Sequence, residues 1–329
     1  KAEDDGDHNT AIGYTALKAQ TGTSGTVANT AVGYKAGESV LTGVRNTYIG
    51  SNAGQKASGS AADDNTALGY QALQANASGS NNVAIGAFAL KLAHNVKDVV
   101  AIGRNTLGNL IASTDPLGTI AIGSAALKEL TTGAGNTAVG YQSGLALTTG
   151  HNNVAIGNNA LLNSQDIGFA VAIGNSVMAS GTMTSAADGT VAIGQSALTT
   201  LTSGIGNVAV GFQALKTDDD GDFNTAIGYN ALRDQTGTSG LVANTAIGYE
   251  AGKLVTTGIH NTLIGNEAGD ALTIATRNVA IGSRALSSED VGDRSIAIGF
   301  SALNQQNSDS NNETAGNIGI GVEAGFYNV

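Results

Sequence analysis

The sequence predicts an all-β fold: a parallel β-roll or β-solenoid of about eighteen 17-residue coils. Three observations predict it. A nine-residue stretch, Asn9-Thr10-Ala11-Ile12-Gly13-Tyr14-Thr15-Ala16-Leu17, recurs down the whole chain with its glycine intact, eighteen times between Gly13 and Gly321. Of the seventeen steps between these glycines, eleven advance by 17, as from Gly33 to Gly50, four by 20, one by 19 and one by 22. Two β-branched or aliphatic residues stand two apart before each glycine, which is the spacing of side chains on one face of a strand. A fixed period of this kind marks a stacked repeat array rather than two ordinary domains, so residues 1–329 read as one array.

Taking the glycine as column 0, the other columns follow in order. Column −4 is Asn in thirteen copies. Asn tolerates the left-handed region and bonds the backbone locally, so it suits a turn before the strand. Stacked in register, these Asn predict a side-chain ladder. Column −3 is Thr, Val or Ile in every copy, and column −1 is Ile, Val or Leu in every copy. Both are expected inside the coil, as at Ile12, Ile156 and Ile227, with the Ala of column −2 facing out against a close neighbour. The column 0 glycines, among them Gly13, Gly33, Gly157 and Gly228, are read as a bend with φ > 0, in preference to close approach of a neighbouring backbone. Column +3 is Ala in fifteen copies; column +4 is Leu in eleven and Gly in six. Where it is Gly, an apolar residue tends to stand at +7, as at Val40, Leu147, Val255 and Leu272, so two coil variants would fill one core site. A helix is the poorer reading, because an apolar run of about eight residues with a central Gly is marginal alone. Two short strands and two turns per coil fit the period.

Extra residues fall between column +4 and the next column −4, in small, polar segments that should project from one face and carry what varies. A higher repeat is present too. Residues 4–37 match 219–252 at 27 of 34 positions, inserted loop included, which is a block duplication.

Composition bounds the function. Apolar residues are 41% but there is no Trp, and Cys is absent, so neither disulfides nor thiolate metal sites exist. Net charge is −11, which argues against nucleic acid and anionic membranes as partners. No apolar run is long enough to span a bilayer. The four histidines lie many coils apart, which favours solvated turns over metal ligation. The acidic turns hold Asp4, Asp5 and Asp7, and Asp219, Asp220 and Asp222. Clustered carboxylates beside a Gly turn can hold calcium, although the spacing does not match the twelve-residue calcium loop and solubilising charge is the simpler reading. Aromatics gather at column +1, including Tyr14, Tyr34, Tyr229 and Tyr249. They are candidates for facing a glycan, with packing between coils or chains as the plainer cause. No nucleophile–histidine–acid pattern and no phosphate-loop signature appear, so the chain is not expected to be an enzyme and no cofactor besides calcium is in view.

The motif Asn153-Val154-Ala155-Ile156-Gly157-Asn158-Asn159-Ala160 resembles the head repeats of trimeric autotransporter adhesins, and residues 224–232 resemble repeats of bacteriophage tail fibres. The resemblance covers residues 9 to 325, with a coil longer than in the adhesin heads. It implies a left-handed roll, three chains side by side, and an extracellular place on a bacterial or virion surface. The Ala columns fit such a homotrimer by letting walls approach closely. The expected function is a structural, adhesive fibre segment that spaces and presents loops to a host surface, receptor or glycan. A glycan-binding module with its own site on the rod is the alternative, and an ice-binding solenoid is a third, wanting a flat Thr array where only eight of eighteen −3 positions are Thr.

Overall fold

The computed structural model describes residues 6–21, 25–57, 62–110, 117–236, 240–308 and 315–327. It is an all-β parallel solenoid whose ordinary turn advances the chain by 17, as from Asn29 to Asn46. The chain forms two units, Lys1–Asp166 and Ile167–Val329. The first carries nine three-residue strands, from Thr10–Ile12 to Val154–Ile156; the second carries nine, from Val171–Ile173 to Ile318–Ile320. Within each unit every strand pairs in parallel with the next, making eight coil-to-coil steps.

Register is kept column for column. Thr47 faces Thr66 and Ile49 faces Leu68 across one lengthened step, and Ile296 faces Ile318 across the longest. Inserted residues are absorbed outside the ladder, because slipping by one would turn each strand's faces over. The duplicated blocks even repeat their extra pairing: Gly6–Asp7 pairs with Gly25–Thr26, and Gly221–Asp222 with Gly240–Leu241.

Among the described residues most coils form one regular strand, not two; a second, two-residue strand stands only at Gly6–Asp7, Gly25–Thr26, Gly221–Asp222 and Gly240–Leu241. The segment after column 0 winds through turns in which columns +2 and +4 both have positive φ, as at Thr15 (51°) and Leu17 (46°). Backbone bonding between coils continues through these turns: Leu17 N–H donates to Ala36 O (3.1 Å) and Lys35 N–H to Tyr14 O (2.9 Å). Stacking therefore satisfies backbone groups that an isolated coil would leave open.

The two faces of the strand are the reverse of the sequence expectation. From Ala31 to Ala297 the column −2 residue is buried, while Ile12, Ile156 and Ile227 point outward at 61%, 37% and 38% exposure. A three-residue strand puts one side chain on one face and two on the other. The inner face takes the single one because the +4 Leu already occupies the narrow interior; Leu17, Leu73 and Leu161 are fully buried. At two coils the two columns trade volume. Where −2 is large, at Tyr48 and Leu263, column +4 is Gly54 and Gly269. A methyl on Gly54 would lie within the Tyr48 ring, and one on Gly269 would be 2.8 Å from Leu263 Cδ2. The +7 residues Val40, Leu147, Val255 and Leu272 are buried, as the two-variant reading expects.

Both proposed causes of the invariant glycine hold. φ is +133°, +139°, +138° and +146° at Gly13, Gly33, Gly157 and Gly228. A methyl at Gly69 would also sit 2.7 Å from the Gly86 carbonyl oxygen of the next coil.

The Asn ladder is present and buried. Asn46 N–H donates to Asn29 Oδ1 (2.8 Å), and Asn65 N–H to Asn46 Oδ1 (2.9 Å). Their amide nitrogens cap carbonyls across the interior, Asn46 Nδ2 donating to Ala62 O (2.6 Å) and Asn65 Nδ2 to Gly79 O (2.9 Å). The positive φ falls one residue earlier than expected, at column −5, as in Arg45 (57°) and His260 (60°). The Asn is thus a ladder residue rather than the left-handed one. Among the described residues no helix is long and apolar enough to cross a membrane.

Candidate functional site

With columns −3 and −1 outward, each unit presents an aliphatic stripe. Ile49, Leu68, Ile120, Ile227 and Ile247 are its most open members away from the end coils. Each is flanked by its counterparts in the coils above and below, so the accessible part of the side chain is the outward edge. One hydrophobic side chain per coil, at roughly 4.8 Å spacing, makes a continuous line. Single exposed aliphatics are ordinary, whereas a contiguous apolar line marks a surface that seeks a partner. The threonines of column −3 lie on the same face, half-buried at Thr30, Thr47 and Thr66. They are therefore not hidden in the core, but Val83, Val100 and Ile120 interrupt them, so no Thr array runs the length of the unit.

The column +1 aromatics are exposed, except for the half-buried Phe212, and mostly engaged with each other. Tyr14 stacks on Tyr34 with centroids 5.6 Å apart and planes 10° apart. Phe212, Tyr229 and Tyr249 form a three-ring pile at 5.0 and 5.5 Å, with interplanar angles of 14° and 12°. Both faces of Tyr229 are thus taken by neighbouring rings. The rims and hydroxyls remain open, which suits packing and hydrogen bonding better than a sugar laid on a ring face. Glu250 beside the pile accepts from Asn230 Nδ2 (3.2 Å) and Lys253 Nζ (3.1 Å); its negative charge pushes the Tyr249 hydroxyl up from its ordinary pKa.

Asp4 and Asp5 lie outside the described residues, as does the Asp7 side chain. In the duplicate turn, Asp222 Oδ1 accepts from Ile205 N–H (2.9 Å) of the preceding coil. Asp220 is raised by burial and by the neighbouring charges of Asp219 and Asp222. Among the described residues no three His, Asp or Glu side chains converge as metal ligands would. The hydroxyls near the turns serve the scaffold: Thr131 Oγ1 donates to Thr148 O (2.9 Å) and Ser143 Oγ to Ala155 O (2.7 Å).

Two residues escaped sequence reasoning. Asp218 and Glu289 occupy column +7, which is inward, and both are fully buried. Asp218 accepts from Gly221 N–H (3.1 Å), Asn224 Nδ2 (3.1 Å) and Gln235 Nε2 (3.0 Å). Burial nonetheless pushes its carboxyl up to about 7. Glu289 takes Gly292 N–H (2.7 Å), Gln306 Nε2 (2.7 Å) and Ser308 Oγ (3.0 Å). The signal was their position: the same column is Leu at Leu130, Leu147 and Leu201.

No protein-family model matches the chain, and no curated protein matches it either.

Proposed function

We propose that this chain is a structural segment of an extracellular surface fibre, on a bacterium or a virion, which spaces and presents variable loops for attachment. Three copies associate side by side through their aliphatic stripes, and the coil is left-handed as in the adhesin heads it resembles. The observation that carries the reading is the outward row of columns −3 and −1. It replaces the Ala-based argument for association, since those Ala are interior. Apolar side chains repeated coil after coil within a unit would bury together, at about 25 cal/mol per Å² of apolar area covered. A repetitive interface of this kind is long rather than broad and fits a closed cyclic assembly. The inserted segments leave the ladder at one place in the coil, so they can vary without disturbing it.

Sedimentation velocity tests it. The wild-type chain should run as a trimer, and Ile85→Glu combined with Ile156→Glu should run as a monomer with an unchanged β-type circular dichroism spectrum. A monomeric wild type sinks the proposal.

The alternative of a glycan-binding module draws on the exposed aromatic column. The pairwise stacking of its rings directs attention away from ring faces and toward less regular places on the surface.

A further inference from the structure

Column +5 is an outward position that takes long side chains in many coils: Lys18, Gln55, Gln74, Lys91, Lys128, Lys216 and others. In one place it reads Lys91, Gly108, Lys128 in three successive coils. Gly108 is not required by the backbone, since its φ is outside the left-handed region. Nor does another coil crowd it: an added methyl would meet only Asn105 O of its own turn, at 3.1 Å. What the glycine does is leave a gap. The gap is an open hollow of about 230 Å³, lined by Phe88, Lys91, Asn105, Gly108, Asn109 and Lys128, with Leu92 at its rim.

The chemistry of the walls is mixed in a particular way. The two lysines stem from coils two inter-strand spacings apart, roughly 10 Å at the backbone. Lys91 Nζ sits 5.1 Å from the Phe88 ring centroid and makes no ion pair among the described residues. Tyr70 packs edge-to-face on Phe88 (5.3 Å, 81°) and steadies the ring. Lys128 is held by Glu129 (2.8 Å), which also takes Asn109 Nδ2 (2.7 Å). Asn105, Asn109 and Lys91 remain as the other polar residues of its lining. Glu129 offsets Lys128, so the net positive charge at the hollow is that of Lys91, a local reversal of sign in a chain of net charge −11.

We propose that this hollow binds the carboxylate-bearing sugar residue of an acidic glycan. The carboxylate would lie against Lys91 with Lys128 beside it, the ring hydroxyls against the Asn105 and Asn109 amides, and the C–H face against Phe88 and Leu92. A simple anion would need neither the aromatic wall nor the amides; a neutral sugar would leave Lys91 unanswered. The hollow is smaller than a pocket for a drug-sized ligand, which starts at roughly 300 Å³. It suits one terminal sugar. It lies on columns +2, +5 and +6, away from the aliphatic stripe, so it does not depend on how the chains associate.

Titration of the full chain with glucuronate, methyl glucoside and inorganic phosphate, followed by NMR shifts and calorimetry, tests it. Glucuronate should bind, with the glucoside and phosphate each weaker by about 10-fold or more, near 1.4 kcal/mol. Gly108→Gln should fill the hollow and Lys91→Gln should remove its charge. Both should lose about 10-fold or more in glucuronate affinity with the melting temperature unchanged, because Gln stands at this column in other coils. No binding of glucuronate, equal binding of the glucoside, equal binding of phosphate, or full binding by Gly108→Gln would each overturn the proposal. Sedimentation of the same samples reads the oligomer separately, so the two readings fail independently.

Discussion

At the residue scale the coil interior is decided by two neighbours that trade volume. Tyr48 is fully buried over Gly54, whereas Ala67 is buried over Leu73. Tyr48→Ala should cost about 3–5 kcal/mol, as large aromatic truncations do. Adding Gly54→Leu, which restores the common pairing, should recover most of that loss in a denaturant melt. If the double variant is no more stable than the single one, the two columns do not share one site. This pair also explains why the strand faces invert the sequence expectation. A period of two tells which residues share a face, and it correctly joins Thr10 with Ile12; it does not say which face is inside. The arbiter stands in the lone large residues Tyr48 and Leu263, each followed six positions later by Gly instead of Leu. β-Branched character is as much a sign of a pleated backbone as of burial.

At the element scale the Asn column ties one coil to the next from inside. Asn46 donates to Ala62 O, accepts from Asn65 N–H and is itself bonded to Asn29. Asn46→Ala would leave the Asn65 N–H and the Ala62 carbonyl buried without partners. Each such group costs about 1–3 kcal/mol, so the variant should be destabilised by roughly 2–6 kcal/mol. Hydrogen exchange should show the loss concentrated in the coils either side of it, since in a repeat array each unit contacts only its neighbours. Uniform loss of protection across the Lys1–Asp166 unit would argue against that picture. The ladder was legible because thirteen copies share the residue. The short regular strand was not, since positive φ at residues such as Leu17 and Leu73 runs against the preference of a branched aliphatic. Only the packing of Leu into the interior, together with bonding to the adjacent coil, holds it there.

At the scale of the whole molecule, two carboxylates that folding desolvates, Asp218 and Asp270, bear on the response to pH. Asp218 is pushed up to about 7 and Asp270 up to about 6, in both cases first by burial, against an ordinary value of 3.8. The folded chain therefore keeps protons that the unfolded chain releases. Stability from these groups is fully present below about pH 4, falls as pH rises through 6 and 7, and levels off above. The melting temperature should accordingly decline between pH 5 and about pH 7.5, and Asp218→Asn should flatten the upper part of that decline. A melting temperature that instead rises over that window would show that other carboxylates dominate. Asp218 was visible as an inward acid only after the columns were known, because nothing in Thr217-Asp218-Asp219-Asp220 separates an inward carboxylate from its solvated neighbours. The hollow at Gly108 was hidden for the same reason: Lys91 and Lys128 are 37 positions apart in sequence and two coils apart in space.

The register described above has a genetic meaning. Short and lengthened steps alike return the chain to the same column, and the strands pair regardless. Any recombination that adds or removes a whole number of coils joins surfaces that already match, and leaves the columns beyond the junction in phase. The likeness of 4–37 to 219–252, which extends to the same extra two-residue pairing, has the form of such an event. A change of length by whole coils would thus leave the remaining register intact.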